Sequence, residues 1–257
     1  MTREIVVSSV AEYVAYIESL DGLDDLWFRG VPNSAFKPLP GLIWKGGCDT
    51  LTEATLEHRF LVSFKSYVEN SNLTEWEVFT LMQHHGLPTR MLDWSESALV
   101  ALYFALSSNL EAEEYGAVWC LSPYELNKRT IGVDRVYCPA EMRNKYVGEL
   151  NLSAYLPPNL QPSYLELPPS PIAINANQHI KRVSSQKGCF TVHGSDQRSI
   201  DQFMEGSESF RLIKVNARGH KARTEMLAKL SKLGIDEEFI YQDLDSLCKR
   251  ITREVLG

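Results

Sequence analysis

The stretch that decides the fold is LPTRMLDWSESALVALYFAL, residues 87–106. It joins a Pro-Thr-Arg turn and an Asp-Trp pair to a nearly all-apolar segment, and it follows two adjacent histidines, His84 and His85. A helix with almost no polar face must be enclosed on all sides, so this segment predicts a buried central helix. Asp93 or Ser95 is expected to cap that helix, because short oxygen-bearing side chains accept hydrogen bonds from its first free amides.

The turn before this helix carries more polar chemistry than a helix start needs. Thr89, Arg90, Asp93 and Ser95 are all predicted to lie on it. Free amides at a helix start, with hydroxyl groups nearby, bind anions or ribose hydroxyls well. The alternative is simple capping, with Asp93 paired to Arg90. Capping explains Asp93 or Ser95 but does not by itself require Thr89 and Arg90.

A second candidate is the short strand LWFRG, residues 26–30, which places Arg29 at its end. A guanidinium on a rigid strand suits a pyrophosphate, and Gly30 would let a ligand approach the backbone closely. The alternative is a core arginine paired with Asp93 or Asp25.

His84 and His85 stand at the predicted end of a helix, where the dipole favours the protonated imidazole. Adjacent side chains on a helix diverge by roughly 100°, so both cannot easily bind one metal ion. The sequence also has no HExxH or CxxC pattern, so we expect no metal site. One of the two histidines is expected to line a pocket while the other packs.

The segment RVSSQKGCFTVH, residues 182–193, is the last candidate. Gln186 before a glycine could direct its amide into a cleft from a strand end, with His193 on the same wall. The alternative is a plain hairpin turn. Glu225 is a further acidic candidate, although its helical setting favours a solvated surface residue.

Length and charge limit the class of protein. A chain of 257 residues with ordinary apolar content fits one domain, with a loop-rich, proline-containing insertion around 139–172. The net charge of −7 argues against a surface-wide basic footprint for nucleic acid, although 214–232 contains a local basic cluster. Five cysteines without a CxxC pair favour reduced thiols, and no apolar run reaches the ~18 residues of a membrane span. We therefore expect a cytoplasmic protein.

The pattern of helix and strand signals predicts an α+β fold. Polar pairs of the capping-box type, Ser9 with Glu12, Thr50 with Glu53 and Thr74 with Glu77, each predict a helix start. Later helices are expected over Thr224–Leu233 and from Asp236 onward. Strands are expected at GAVWCL (116–121), HIKRVS (179–184), CFTVH (189–193) and FRLIKV (210–215).

Taken together, the segments LWFRG, residues 81–106, GAVWCL, RVSSQKGCFTVH and the ending KLGIDEEFIYQDLDSL (232–247) resemble the FRG domain family. That family takes its name from the Phe-Arg-Gly that stands here at Phe28, Arg29 and Gly30. Its members are widespread in bacteria and often linked with phage defence or toxin systems. Their motif order is similar to that of ADP-ribosyltransferases.

This resemblance implies a fold with a pair of small antiparallel sheets surrounded by helices, and NAD as the cofactor. Arg29 would hold the diphosphate or ribose of NAD, and Thr89, before the buried helix, would shape the nicotinamide pocket. The third catalytic position, a glutamate in those enzymes, carries Gln186 here, and Asp93 or Glu225 would then supply the negative charge.

The resemblance also implies a wider NAD-binding set and a class of partners. The residues implied to bind the cofactor are Phe28, Arg29, Gly30, His84, His85, Thr89, Arg90 and Tyr103. The acceptor would be a nucleic acid or a protein, an antitoxin or other regulator would control the effector, and no membrane would be involved. A module that binds a nucleotide or a phage component without turnover is the alternative, because the third-motif glutamate is absent.

Overall fold

The computed structural model describes residues 3–20, 25–46, 49–68, 72–139, 146–147, 150–175 and 185–256. The strands are β1 (Arg3–Val7), β2 (Trp27–Val31), β3 (Met91–Ser95), β4 (Gly116–Leu121), β5 (Tyr146–Val147), β6 (Leu150–Asn151), β7 (Ile172–Asn175), β8 (Gly188–Val192) and β9 (Arg211–Val215). The helices are α1 (Val10–Glu18), α2 (Gly41–Trp44), α3 (Thr50–Ser63), α4 (Glu75–His84), α5 (Ala98–Ser107), α6 (Pro123–Ile131), α7 (Ile200–Phe203), α8 (Gly219–Lys232), α9 (Glu237–Tyr241) and α10 (Leu244–Leu256). Helices and strands mixed in this order confirm the α+β prediction.

One mixed sheet forms the frame of the molecule. Seven strands lie in the order β1-β9-β4-β2-β3-β8-β7, and β5 pairs only with β6. Only β1 and β9 run parallel in the sheet, and the other neighbours are antiparallel. The resemblance implied a pair of small antiparallel sheets, whereas the strands other than β5 and β6 join into one mixed sheet of seven strands.

The junction between β2 and β3 is the weakest point of that sheet. A single residue pair, Phe28 with Ser95, joins the two strands, whereas β2 pairs with β4 over five residues and β3 with β8 over five. The sheet is thus two well-paired halves connected at one point. Beyond that pair β2 and β3 are not paired, which leaves room for a pocket between them.

The apolar segment of the sequence forms α5 and lies in the core, as predicted. Six of its ten residues are buried, and the helix packs with residues of α1, β2, β4, β9 and α8 in one hydrophobic cluster. Its cap is Ser97, whose hydroxyl accepts from the amide of Val100, so the expectation of Asp93 or Ser95 as cap is wrong. The reason is that residues 91–95 form β3 rather than a turn.

Several predicted boundaries shift when the contacts are known. The box of Thr74 and Glu77 caps α4 as expected, but α3 is capped by Asp49, one residue before Thr50. Helix α8 begins at Gly219 instead of Thr224, and the single helix expected after Asp236 divides into α9 and α10. The predicted strand over 179–184 lies outside the described residues.

The segment after α6 is loop-rich, as its prolines indicate. Among its described residues, short 3-10 turns at Leu152–Tyr155 and Pro158–Leu160 precede the edge strand β7. The side chain of Glu57 on α3 accepts hydrogen bonds from the backbone and side-chain nitrogens of Asn159. This contact ties the proline-containing segment to the helical layer over α3.

Two buried arginines fasten the layers together. Arg90 pairs with Glu53 at 2.8 Å and donates to the backbone oxygens of His193 and Tyr155. Arg223 donates to the carbonyls of Ala105, Pro32 and Glu114.

No helix in the described part of the chain combines the length and apolar character that crossing a membrane requires.

Candidate functional site

A pocket of about 290 Å³ lies where β2 and β3 separate. Its walls come from β2, from β3, from the end of α4, from one side of α5 and from Gln186, two residues before β8. The lining residues are Phe28, Arg29, Gly30, Gln83, His84, Asp93, Trp94, Ser95, Val100, Ala101, Phe104, Ser108 and Gln186. The incomplete pairing of the sheet therefore creates a cleft that brings together residues far apart in the sequence.

Arg29 crosses the gap between the separated strands. One of its terminal nitrogens, Nη1, donates to the backbone oxygen of Asp93 at 2.8 Å. Its Nε is buried and has no hydrogen-bond partner among the described residues. Burial lowers the pKa of the guanidinium, and the nearby Asp93 carboxylate opposes that effect. Arg29 is thus a cation with unused donors, held at the pocket by a backbone contact instead of by a paired carboxylate.

Asp93 supplies the carboxylate of the pocket. Its Oδ2 accepts from Nε2 of Gln83 at 2.6 Å, and Oδ1 accepts no hydrogen bond from the described residues. Desolvation by the surrounding protein raises the pKa of Asp93, whereas Arg29 and the Gln83 hydrogen bond lower it. The residue is still exposed to solvent by surface fraction, so water weakens these opposing effects. Asp93 therefore lines the pocket with one carboxylate oxygen held by Gln83 and the other without a partner among the described residues.

Gln83 connects this carboxylate to Thr89. The Thr89 hydroxyl donates to Oε1 of Gln83 at 2.6 Å and accepts from the backbone amide of Met91 at 3.0 Å. Thr89 is buried and does not itself line the pocket. The expectation that Thr89 would shape the pocket wall is therefore replaced by an indirect contact through Gln83.

Gln186 reaches the pocket from the strand end, as the sequence indicates. Its Nε2 donates to the backbone oxygen of Ile240 in α9 at 3.0 Å. The Ser95 hydroxyl donates to the backbone oxygen of Gln186 at 2.6 Å. Because the amide nitrogen is bonded away from the pocket, the amide oxygen is the end that Gln186 can offer to a ligand.

The structure explains why position 30 is a glycine, for a reason that the sequence does not reveal. A Cβ at this position would lie 1.9 Å from the backbone oxygen of Ala101 and 2.6 Å from the backbone nitrogen of Ala105. Helix α5 thus rests directly on the β2 backbone. The glycine is required for this helix packing, and it also lines the pocket, where the sequence predicts that it admits a ligand.

Arg90 and Tyr103 lie away from the pocket, contrary to their implied place in NAD binding. Arg90 is 4% exposed, and its Nε, Nη1 and Nη2 all donate within the core, so the side chain is held away from a ligand in the pocket. Tyr103 lines a separate groove between α5, α8 and α10.

The histidines also differ in their positions relative to the pocket. His84 lines the pocket, while His85 is exposed and places its ring edge-on to that of His84, with 5.1 Å between centroids. His193 is buried away from the pocket, where its Nε2 contacts the backbone oxygen of Arg198. Burial lowers the pKa of His193 to about 4, so this imidazole is neutral and structural.

The remaining charged candidates lie on the surface or are already paired. Glu225 is exposed on α8 and does not line the pocket. Within the basic cluster at 214–232, Lys214 pairs with Glu4, His220 contacts Glu111 and Arg223 is buried. These three residues therefore do not form an open basic groove for nucleic acid.

Comparison with known proteins gives one result. The family model of the FRG domain matches residues 24–114, a segment that includes β2, α4, β3 and α5. No curated protein and no solved structure matches the chain. The match supports the FRG family for the segment that provides nearly all of the pocket wall.

Proposed function

We propose that this chain binds NAD in the pocket between β2 and β3 and transfers its ADP-ribosyl group to an acceptor, either a nucleic acid or a protein. The observation that carries the proposal is the placement of Arg29 and Asp93 together where the sheet separates. Such an activity would suit a bacterial toxin or anti-phage effector.

Arg29 fits the role of holding the diphosphate. Its buried, unpartnered Nε and its single backbone contact leave guanidinium donors for an anionic ligand. An unsatisfied buried donor costs about 1–3 kcal/mol, which a bound phosphate oxygen would recover. The guanidinium fork suits phosphate oxygens better than a lysine would.

Asp93 fits the role of stabilising positive charge. NAD, when bound, supplies an ADP-ribosyl group whose bond to nicotinamide breaks with positive charge developing on the ribose. A carboxylate held in place before the reaction lowers that barrier without reorganising. Asp93 has one oxygen bonded by Gln83 and one without a hydrogen bond from the described residues, so it can replace the carboxylate that Gln186 lacks. Gln186 can add its amide oxygen as a neutral acceptor.

The size of the pocket limits which part of NAD it holds. A volume of about 290 Å³ is at the small end of ligand pockets, which span about 300–1,000 Å³. It therefore suits one end of a dinucleotide, with the other end outside. The end enclosed by Asp93 and Gln186 would be the reacting nicotinamide ribose.

Labelled NAD tests the proposal when it is incubated with the purified protein and with RNA, DNA and cell protein. We expect nicotinamide release and label transfer from wild type, and a loss of at least about 100-fold in Arg29→Ala and Asp93→Asn. Arg218→Ala is the control for the first variant, since Arg218 lies over the Tyr115 ring outside the pocket. Glu225→Gln is the control for the second.

Two results decide against this reaction. Wild type that releases no nicotinamide with any acceptor contradicts it, and so does an Asp93→Asn variant as active as wild type. If Glu225→Gln alone lost most of its activity, the catalytic carboxylate would be that of Glu225 on α8 instead of Asp93.

A second candidate function is nucleotide binding without turnover. It is favoured by Gln186, whose amide has no full negative charge and whose nitrogen is held by Ile240. Calorimetry distinguishes the two functions: tight NAD binding with no nicotinamide release over hours supports the binding module, whereas turnover excludes it.

A further inference from the structure

Resting on the proposed function, we propose that Gln83 is the positioning residue of the pocket, which holds the Asp93 carboxylate ionised and correctly directed through a relay that begins at the Met91 amide. Nothing in the sequence motifs singled out Gln83. The relay consists of three hydrogen bonds in series, at 3.0, 2.6 and 2.6 Å.

The direction of the relay follows from its first donor. The backbone N–H of Met91 can only donate, so the Thr89 oxygen accepts it and its hydrogen is free to donate to Gln83 Oε1. The amide of Gln83 then presents its nitrogen to Asp93 Oδ2. The opposite amide orientation would place Oε1 of Gln83 against the carboxylate oxygen of Asp93. The two oxygens could form a hydrogen bond only if Asp93 carried a proton to donate. The amide orientation and the charge of Asp93 are thus coupled.

The fold holds both ends of the relay in place. Gln83 is in the last turn of α4, and Thr89 follows a turn that Gly86 makes at φ +81°. The backbone oxygen of Thr89 also accepts from the amide of Leu42, which fixes the turn against α2. Because Thr89 is buried, its hydroxyl cannot exchange Gln83 for water.

The consequence for Asp93 concerns both charge and direction. A hydrogen bond to the charged form of a carboxylate favours that form. Desolvation is the largest effect on Asp93 and raises its pKa, while Arg29 and Gln83 oppose it, so without Gln83 the carboxylate would protonate at higher pH. The carboxylate would also be free to rotate, so its second oxygen would no longer have a fixed direction.

Two isosteric variants test this relay at separate links. Gln83→Leu removes both contacts of the amide, and Thr89→Val leaves Gln83 beside Asp93 without its orienting partner. Thr130→Val is the matched control, because the Thr130 hydroxyl donates to the Leu126 backbone oxygen within α6, outside the pocket. The pKa of the Asp93 carboxyl is followed by NMR in the ligand-free protein, and nicotinamide release is measured against pH.

We expect the Asp93 pKa to rise by about one unit in Gln83→Leu and by less in Thr89→Val. The acid limb of the kcat/KM profile should move upward in pH by the same amount, with kcat reduced about tenfold and KM little changed. The double variant should be no worse than Gln83→Leu, because the links are in series. Thr130→Val should match wild type.

An Asp93 pKa that is unchanged in both variants overturns the proposal, as does a uniform loss of activity without any shift of the pH profile. If Gln83→Leu does not fold, Thr89→Val decides by the same criterion. If wild type releases no nicotinamide, the proposed reaction fails, and the NMR titration alone decides on Gln83.

Discussion

Replacing Gly30 by alanine should destabilise the protein strongly, although the change adds only one methyl group. The added Cβ would lie 1.9 Å from the backbone oxygen of Ala101, which is 1.5 Å short of the 3.4 Å where ordinary contact begins. The obstructing atoms are backbone atoms of α5, so no side-chain rotation relieves the clash. Either α5 or β2 must move, and both lie in the main hydrophobic cluster.

The expected cost is about 3 kcal/mol or more, at the upper end for inserting a methyl group into a packed core. For a domain of this size that corresponds to a fall in Tm of roughly 6–12 °C. Urea unfolding followed by circular dichroism would measure the free energy of unfolding, and thermal scans would measure Tm. The pocket should also widen or collapse, because Gly30 and Ala101 both line it.

Two other glycines give a graded control series. A Cβ on Gly116 would lie 2.9 Å from the backbone oxygen of Ala105, and one on Gly41 would lie 3.9 Å from its nearest neighbour. We therefore expect the loss of stability to decrease from Gly30→Ala to Gly116→Ala, with Gly41→Ala within about 1 kcal/mol of wild type. If Gly30→Ala were as stable as Gly41→Ala, the close packing of α5 on β2 would be refuted.

Three further predictions follow from the buried and exposed polar groups. Arg90→Met should cost about 3–5 kcal/mol in urea unfolding, because it leaves a buried carboxylate unpaired, whereas Arg59→Met on the exposed side of α3 should change little. His193 titrates near 6.5 when unfolded and near 4 when folded, so stability present above pH 6.5 should be lost as pH falls towards 4, by about 3 kcal/mol. A His193→Gln variant should lack that part of the stability profile, and an unchanged profile would contradict the neutral buried imidazole. Iodoacetamide should label exposed Cys248 well before Cys120, whose pKa burial raises to about 12, as peptide mass spectrometry would show; equal rates would contradict this order.

Local patterns in the sequence were enough to locate most elements of the fold. The apolar run that became α5 admitted only a buried helix, and the box of Thr74 and Glu77 marked the start of α4. The strand with Arg29 was also recognised from its alternation. These signals succeed because a helix cap or a hydrophobic period depends on neighbours in the chain.

Contacts between distant segments could not be predicted in the same way. Residues 91–95 were read as a turn, since their pairing partner in β8 lies nearly a hundred residues away. Arg90 resembled a ligand-binding residue until its three buried acceptors were known. Gln83 was missed because an amide near a helix end has no distinctive pattern, although its place just before His84 and the Pro-Thr-Arg turn was a usable signal.

The lack of information on distant contacts also explains why the sequence predicts ligand approach as the role of Gly30. The sequence indicates that a glycine follows Arg29, but only the position of α5 shows which atoms come close to it. The joining of the strands other than β5 and β6 into one sheet likewise depends on a single residue pair between β2 and β3. This one pair decides the topology of the sheet, yet no local sequence pattern predicts it.

A crystal structure of the protein grown with NAD tests the central claim most directly. We predict the dinucleotide in the gap between β2 and β3, with its diphosphate within hydrogen-bonding distance of Arg29 and the nicotinamide ribose facing Asp93. NAD bound at a site that does not include Arg29, or a pocket that stays empty at saturating NAD, would contradict the account.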